Sequence, residues 1–244
     1  MSALLRAELL KLRTTRTFIA LTAAALGLSL LLITLIALLQ DDWVEQDVRE
    51  LFTGDFTGLF ILLLGVTGMA GEWRHRTITS TVLAAPNRLR LLAAKTIAYA
   101  VAGAVISLLV TLAIMAVGTT ILSVRDLPTL GIADLADGLW RNLVVSAFLG
   151  AFGVCIGGLV RNQIAAIVGL LLLTFAIEPT LLAVAPHIGQ FGPTSGAPNG
   201  VLQLEAFGDD TDILSPAVAL LVLLGWLGLV FAGAATLLQR RDLV

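Results

Sequence analysis

The sequence predicts an all-α polytopic membrane protein with six transmembrane helices. Three observations carry that expectation. Apolar residues make up 58% of the 244-residue chain and charged residues only 13%, with a mean hydropathy of +0.97, whereas soluble domains carry about 25% charged residues. Six apolar runs have the length that crosses a bilayer core, which takes roughly 20 residues of helix. The alternating ten-residue segments of a membrane barrel do not occur. This composition excludes a water-soluble enzyme, a disordered tail and a nucleic-acid binder.

The runs cover residues 17–39, 56–70, 96–122, 143–160, 164–185 and 216–238. The second is short, because Gly54 and Asp55 interrupt its extension toward Leu51. The chain reads as a single transmembrane domain over 1–244. Residues 1–16 do not read as a cleavable signal, since the apolar run that follows is longer than a signal core and no small-residue cleavage site precedes Asp41 and Asp42. Leu5, Leu9 and Leu12 share one helical face there, while Arg6, Lys11, Arg13 and Arg16 supply charge. Two readings stand: an interfacial helix lying in the headgroup plane, or the basic flank common beside a first span.

Charge assigns an orientation. With the N-terminus inside, Arg6, Lys11, Arg13, Arg16, Arg74, Arg76, Arg88, Arg90, Lys95, Arg161, Arg240 and Arg241 fall on the inner side, and Arg49, Arg125 and Arg141 on the outer. Only Glu8, Glu72 and Asp242 of the 17 acids are inside. The formal net charge of −2 therefore conceals a strongly polarised chain. Basic residues are retained on the cytoplasmic face, so both termini are expected in the cytoplasm. Trp43 and Trp140 at outer ends and Trp73 at an inner end suit interfacial indoles.

The longest inner connection, residues 71–95, is the most informative segment. Residues 77–85 are expected to form about two turns of helix, with Ile78, Val82 and Ala85 on one face and Pro86 as its stop. Asn87 is placed to cap the next helix, which enters the third span with Arg88 and Lys95 at its inner end. A short amphipathic helix would then be tied at both ends to transmembrane helices.

This segment resembles the cytoplasmic loop of ATP-binding cassette (ABC) permeases of the type 2 exporter class. The resemblance rests on Glu72 at the end of the second span, the basic residues Arg74 and Arg76, the step through Thr77, Ile78, Thr79, Ser80, Thr81 and Val82, then Pro86, Arg88 and Lys95. The opening run from Ala7 to Arg16 is similar to that family's N-terminal connecting helix. A departure is Arg76 directly before Thr77, where many relatives carry Gly.

The resemblance implies that residues 77–85 are a coupling helix seated in a separate ATPase subunit. It implies two copies of that subunit, which bind ATP and Mg, and a second permease chain, the same or related. The activity implied is export of an amphipathic or hydrophobic compound, such as a drug, antibiotic or peptide, by alternating access across a prokaryotic cytoplasmic membrane. Glu72 would then stabilise the bend after the second span by pairing with Arg76 or with the N-terminal helix. Its alternative is a solvated acid at the membrane surface, and retention of topology alone is the alternative for each arginine.

The remaining candidates are few. No GxxxxGK[ST] run occurs, so ATP hydrolysis and any cofactor belong to a partner subunit. One cysteine, Cys155, and two separated histidines, His75 and His187, give no metal site and no intrachain disulfide. Gly150, Gly153 and Gly157 form a small-residue face for helix packing, within the chain or between protomers. Glu178 precedes Pro179, which is expected to kink or break the fifth span. It either lines the outer part of a substrate path or lies at headgroup level. In the outer loop, 186–215, Val201 to Phe207 is a candidate re-entrant or lid helix, with plain connection as the alternative. Two further functions compete with export: a non-transporting anchor or sensor using the same ATPase, and a membrane-embedded enzyme, for which paired catalytic groups within the spans are lacking.

Overall fold

A computed structural model describes residues 2–40, 43–75, 77, 87–160, 162–204 and 213–240, and all secondary structure among them is helical. Six helices are long and apolar enough to cross a membrane. In chain order the elements are α1 (Ser2–Thr14), α2 (Arg16–Leu39), α3 (Glu45–Thr53), α4 (Thr57–Arg74), α5 (Arg88–Val124), α6 (Ile132–Leu159), α7 (Gln163–Val184), α8 (Pro186–Gly189), α9 (Gly196–Leu202) and α10 (Pro216–Arg240). Helices are the form such apolar segments must take, because each satisfies its own backbone polar groups without water.

The most buried span is α6, packed chiefly between α5 and α4, with α10 on a further side. Its glycines explain that position. A methyl group placed on Gly153 would lie 2.5 Å from the Leu62 carbonyl oxygen of α4, and one on Gly157 would lie 2.8 Å from that of Val66. On the α5 side, a methyl on Gly150 would lie 2.4 Å from the Tyr99 carbonyl oxygen. The three glycines therefore face contacts inside this chain, where the missing side chains let backbones touch. By contrast α2, α7 and α10 expose most of their surface, including Leu31, Leu35, Phe175, Leu221 and Leu224.

Local chemistry fixes the helix ends. Asn87 caps α5 as its position predicts, with its side chain accepting from the Arg90 N–H at 3.0 Å. Asn162 does the same for α7, accepting from the Ile164 N–H at 2.9 Å. Arginines close three helix C-termini, where carbonyls lack intrahelical partners. Arg125 donates to the Ala37 carbonyl at 2.6 Å, Arg88 to Leu238 at 2.7 Å, and Arg141 to Val201 at 2.7 Å. Each of these bonds also ties two distant parts of the chain together.

Several boundaries differ from the sequence expectation. The fourth span begins at Ile132 rather than near 143, because Asp134 and Asp137 sit on a helix and are paired: Arg141 donates to Asp137 at 2.7 Å and Arg49 to Asp134 at 2.6 Å. Pro179 does not break the fifth span. A π turn at Leu173–Ile177 precedes it, with the Glu178 N–H donating five residues back to the Leu173 carbonyl. The wider turn accommodates a ring that would clash in a regular α-helix. In the outer loop the described helices are Pro186–Gly189 and Gly196–Leu202, the second ending at Gln203 in the left-handed conformation with φ 58°, and residues 205–207 of the expected Val201 to Phe207 helix lie outside the described residues. Residues 78–86, which include most of the expected coupling helix 77–85, and residues 205–212 lie outside the described residues.

The glycine contacts give a direct test. Gly153→Ala should lower unfolding stability in detergent by about 1–3 kcal/mol, the usual cost of overpacking. Gly169→Ala, where a methyl meets nothing within 4 Å, should change it by no more than about 0.5 kcal/mol. Equal effects in thermal unfolding would show that α4 and α6 are not in backbone contact.

Candidate functional site

The densest polar arrangement in the apolar bundle is a buried ion cluster at the end that carries α1. Lys95, one position before Thr96 and two turns into α5, is 0% exposed. A lone ammonium there would carry a desolvation cost of several kcal/mol. Two carboxylates offset it. The Lys95 Nζ donates to Glu8 Oε2 of α1 at 2.6 Å and to Glu72 Oε1 of α4 at 3.0 Å. Glu72 also accepts from Lys11 Nζ of α1. Glu8 and Glu72 are themselves buried.

Aromatic and small residues complete the setting. The Lys95 ammonium lies 5.9 Å from the centre of the Tyr99 ring, within cation–π range. Gly68 on α4 leaves room for the Tyr99 hydroxyl. Glu8, Glu72 and Lys95 are the buried members of the cluster, and the half-exposed Lys11 supplies the second positive charge at its edge. A cleft of about 340 Å³ opens beside it, walled by Lys11, Phe18, Glu72, Thr77 and Gln163. Glu72 Oε2 is buried and meets no hydrogen-bond donor among the described residues.

The arrangement joins three elements. Glu72 sits in the last turn of α4 and Lys95 near the start of α5, so the two residues bracket the connection 75–87. Glu8 and Lys11 bring α1 onto that bracket. Of the alternatives for Glu72, the described geometry has the N-terminal helix as its partner and burial in place of solvation. The Arg76 side chain lies outside the described residues, as do Ile78, Thr79, Ser80, Thr81, Val82 and Pro86. Arg74 and His75 are exposed, and the Thr77 N–H donates to the Glu72 carbonyl at 3.0 Å. Arg88 points away from the cluster to the end of α10.

Glu178 performs a different task. It is 1% exposed. Its carboxylate accepts from the Thr194 N–H at 2.9 Å, the Thr194 hydroxyl at 2.7 Å, the Ser195 N–H at 2.6 Å and the Gly196 N–H at 3.3 Å. It pins the segment leading into α9 against α7. Gly192 allows the approach, since a methyl there would lie 2.5 Å from Glu178 Oε2.

Sequence reasoning did not single out Glu8 and Lys11 as members of the site. The available signal was Glu8 itself, the one acid in a basic N-terminal segment. Cys155 is buried, and among the described residues no group of three or more His, Cys, Asp or Glu could hold a metal.

Removing one charge from the cluster should cost about 3–5 kcal/mol of stability, because it strands a buried partner. Lys95→Met is expected to behave this way in thermal unfolding. The double variant Glu8→Gln with Lys95→Met leaves Glu72 with Lys11 and should be more stable than Lys95→Met alone, as coupled neighbours require. Additive losses would refute the direct pairing. Compared with known proteins, the chain matches no family model and no curated protein.

Proposed function

We propose that this chain is the membrane-spanning permease subunit of an ATP-driven exporter of the type 2 ABC class. It works with two copies of a separate ATPase subunit, which bind ATP and Mg, and with a second permease chain, the same or related. The cargo is an amphipathic or hydrophobic compound carried outward by alternating access. Both termini face the cytoplasm.

The ion cluster is the observation that carries this reading. A loop that receives force from a soluble motor must be attached stiffly at both ends, or its movement dissipates in local bending. Here Glu72 and Lys95, at the two roots of the 75–87 connection, are bonded to each other and to α1. In this reading α1 lies along the membrane surface and residues 77–85 seat in the ATPase. Displacement of the loop then moves α4 and α5 together, and both grip α6.

Charge supports the orientation. Among the described residues, the bundle end that carries α1 holds Arg6, Lys11, Arg13, Arg16, Arg74, Arg88, Arg90, Lys95 and Arg240, and the opposite end holds Arg49, Arg125 and Arg141. Basic residues are retained on the cytoplasmic side, which is also the side of ATP.

The test is reconstitution with the ATPase subunit in liposomes and a panel of hydrophobic and amphipathic compounds, charged and neutral. Replacing residues 77–85 with a Gly/Ser linker should leave insertion and helix content intact and abolish ATP-dependent movement. Unchanged transport would overturn the role of this loop.

A further inference from the structure

The opposite end of the bundle contains a larger cleft, about 650 Å³, between α2, α3, α7 and the segment leading into α9. That volume suits a small organic molecule. Its walls are mostly apolar, with Leu32, Ile36 and Leu182 among them, but its charge is of one sign. Asp47, Glu50 and Asp55 line it, and among the described residues no lysine or arginine does. The nearby cations are engaged elsewhere: Arg49 donates to Asp134, and Arg125 to the Ala37 and Gln40 carbonyls.

Unsatisfied polar atoms point to an occupant. Ser29 on α2 is 3% exposed, lines the cleft, and its hydroxyl has no hydrogen-bond partner among the described residues. The same holds for Thr174 Oγ1 and for Asp55 Oδ2, both closed off from solvent. Buried polar groups in folded proteins are almost always paired, so three unpaired on one cleft call for an explanation. Asp55 is divided in its work: Oδ1 accepts from the Thr57 N–H at 2.9 Å and starts α4, while Oδ2 remains unmet.

The π turn adds the aromatic component. Leu173–Ile177 carries both Thr174 and Phe175 to the cleft wall, and π turns recur at functional sites. Phe175, Phe56 and Trp43 give ring surfaces that can face a cation. Glu178 fixes a further part of the lining, since the Thr194 and Ser195 that it anchors also line the cleft.

We propose that this cleft binds an amphipathic organic cation, with Asp55, backed by Glu50 and Asp47, meeting the charge and the aromatic and aliphatic wall meeting the apolar body. Calling that ligand the cargo rests on the exporter reading above; its binding does not require the ATPase.

The probe pair is tetraphenylphosphonium and tetraphenylborate, which match in size and hydrophobicity and differ in sign. Equilibrium binding to the full chain in phosphatidylcholine nanodiscs, corrected by empty nanodiscs, should show saturable binding of the phosphonium and none of the borate. Asp55→Asn keeps the acceptor for Thr57 and removes the charge, and should weaken phosphonium binding by about tenfold or more. Glu50→Gln, away from the α4 start, should weaken it several-fold and serves if Asp55→Asn fails to fold. Equal binding of both probes, or unchanged affinity in folded variants, would overturn the proposal. Phosphonium binding without ATP-driven export would keep this site and remove the exporter reading. ATP-driven export of neutral compounds without phosphonium binding would do the reverse.

Discussion

Everything at the α1 end of this protein depends on how a fully buried lysine is neutralised. Lys95 sits on a helix that must pack against α4 and α6, so its ammonium cannot reach water. The solution recruits one carboxylate from α4 and one from a helix far earlier in sequence. A buried pair of this kind adds little net stability over an apolar substitute, yet it penalises every arrangement in which a partner is displaced. Its effect is therefore to specify position: α1 against α5, and the roots of α4 and α5 against each other. That is the property a force-bearing attachment requires.

The middle of the bundle adds the second constraint. Within an apolar environment helices gain little from hydrophobic burial, so close backbone contact and shape decide which pairs form. Gly65, Gly150, Gly153 and Gly157 bring α4, α5 and α6 to such contact. The ion cluster and the glycine contacts act on the same helices, α4 and α5, at different depths. In the exporter reading, these contacts are the route by which a displacement at the roots reaches α6. The opposite end is built differently, with a π turn, a loop segment held by Glu178, and a cleft with unmet polar atoms. One end is organised by ion pairs between α1, α4 and α5, and the other by the donors that converge on Glu178.

Much of the fold was legible because the physics involved is local. Apolar run length gives the spans, and Asn87 after Pro86 gives the start of α5. What was not legible depends on contacts distant in sequence. Asp134 and Asp137 read as loop until Arg49 and Arg141 are seen to pair with them. Pro179 reads as a break until the π turn absorbs it. Glu178 reads as a surface or path-lining acid until the donors of Thr194, Ser195 and Gly196 are brought to it. Glu72 and Lys95 could be noticed by their positions, whereas Glu8 has meaning only once α1 is folded back onto α5. The Asp55 carboxylate, met in sequence as an interruption of an apolar run, becomes a cleft residue through the approach of α2 and α7.

The central claim is that the cluster of Glu8, Lys11, Glu72 and Lys95 links a motor-facing loop to the spans. The most direct measurement is the ATP hydrolysis rate of the ATPase subunit assembled with this chain in nanodiscs, compared between the native chain and the variant carrying both Glu8→Gln and Lys95→Met. The expected result is the same assembled stoichiometry and a hydrolysis rate altered several-fold, because the loop remains present but its attachment is loosened. An unchanged rate in an intact assembly would contradict it.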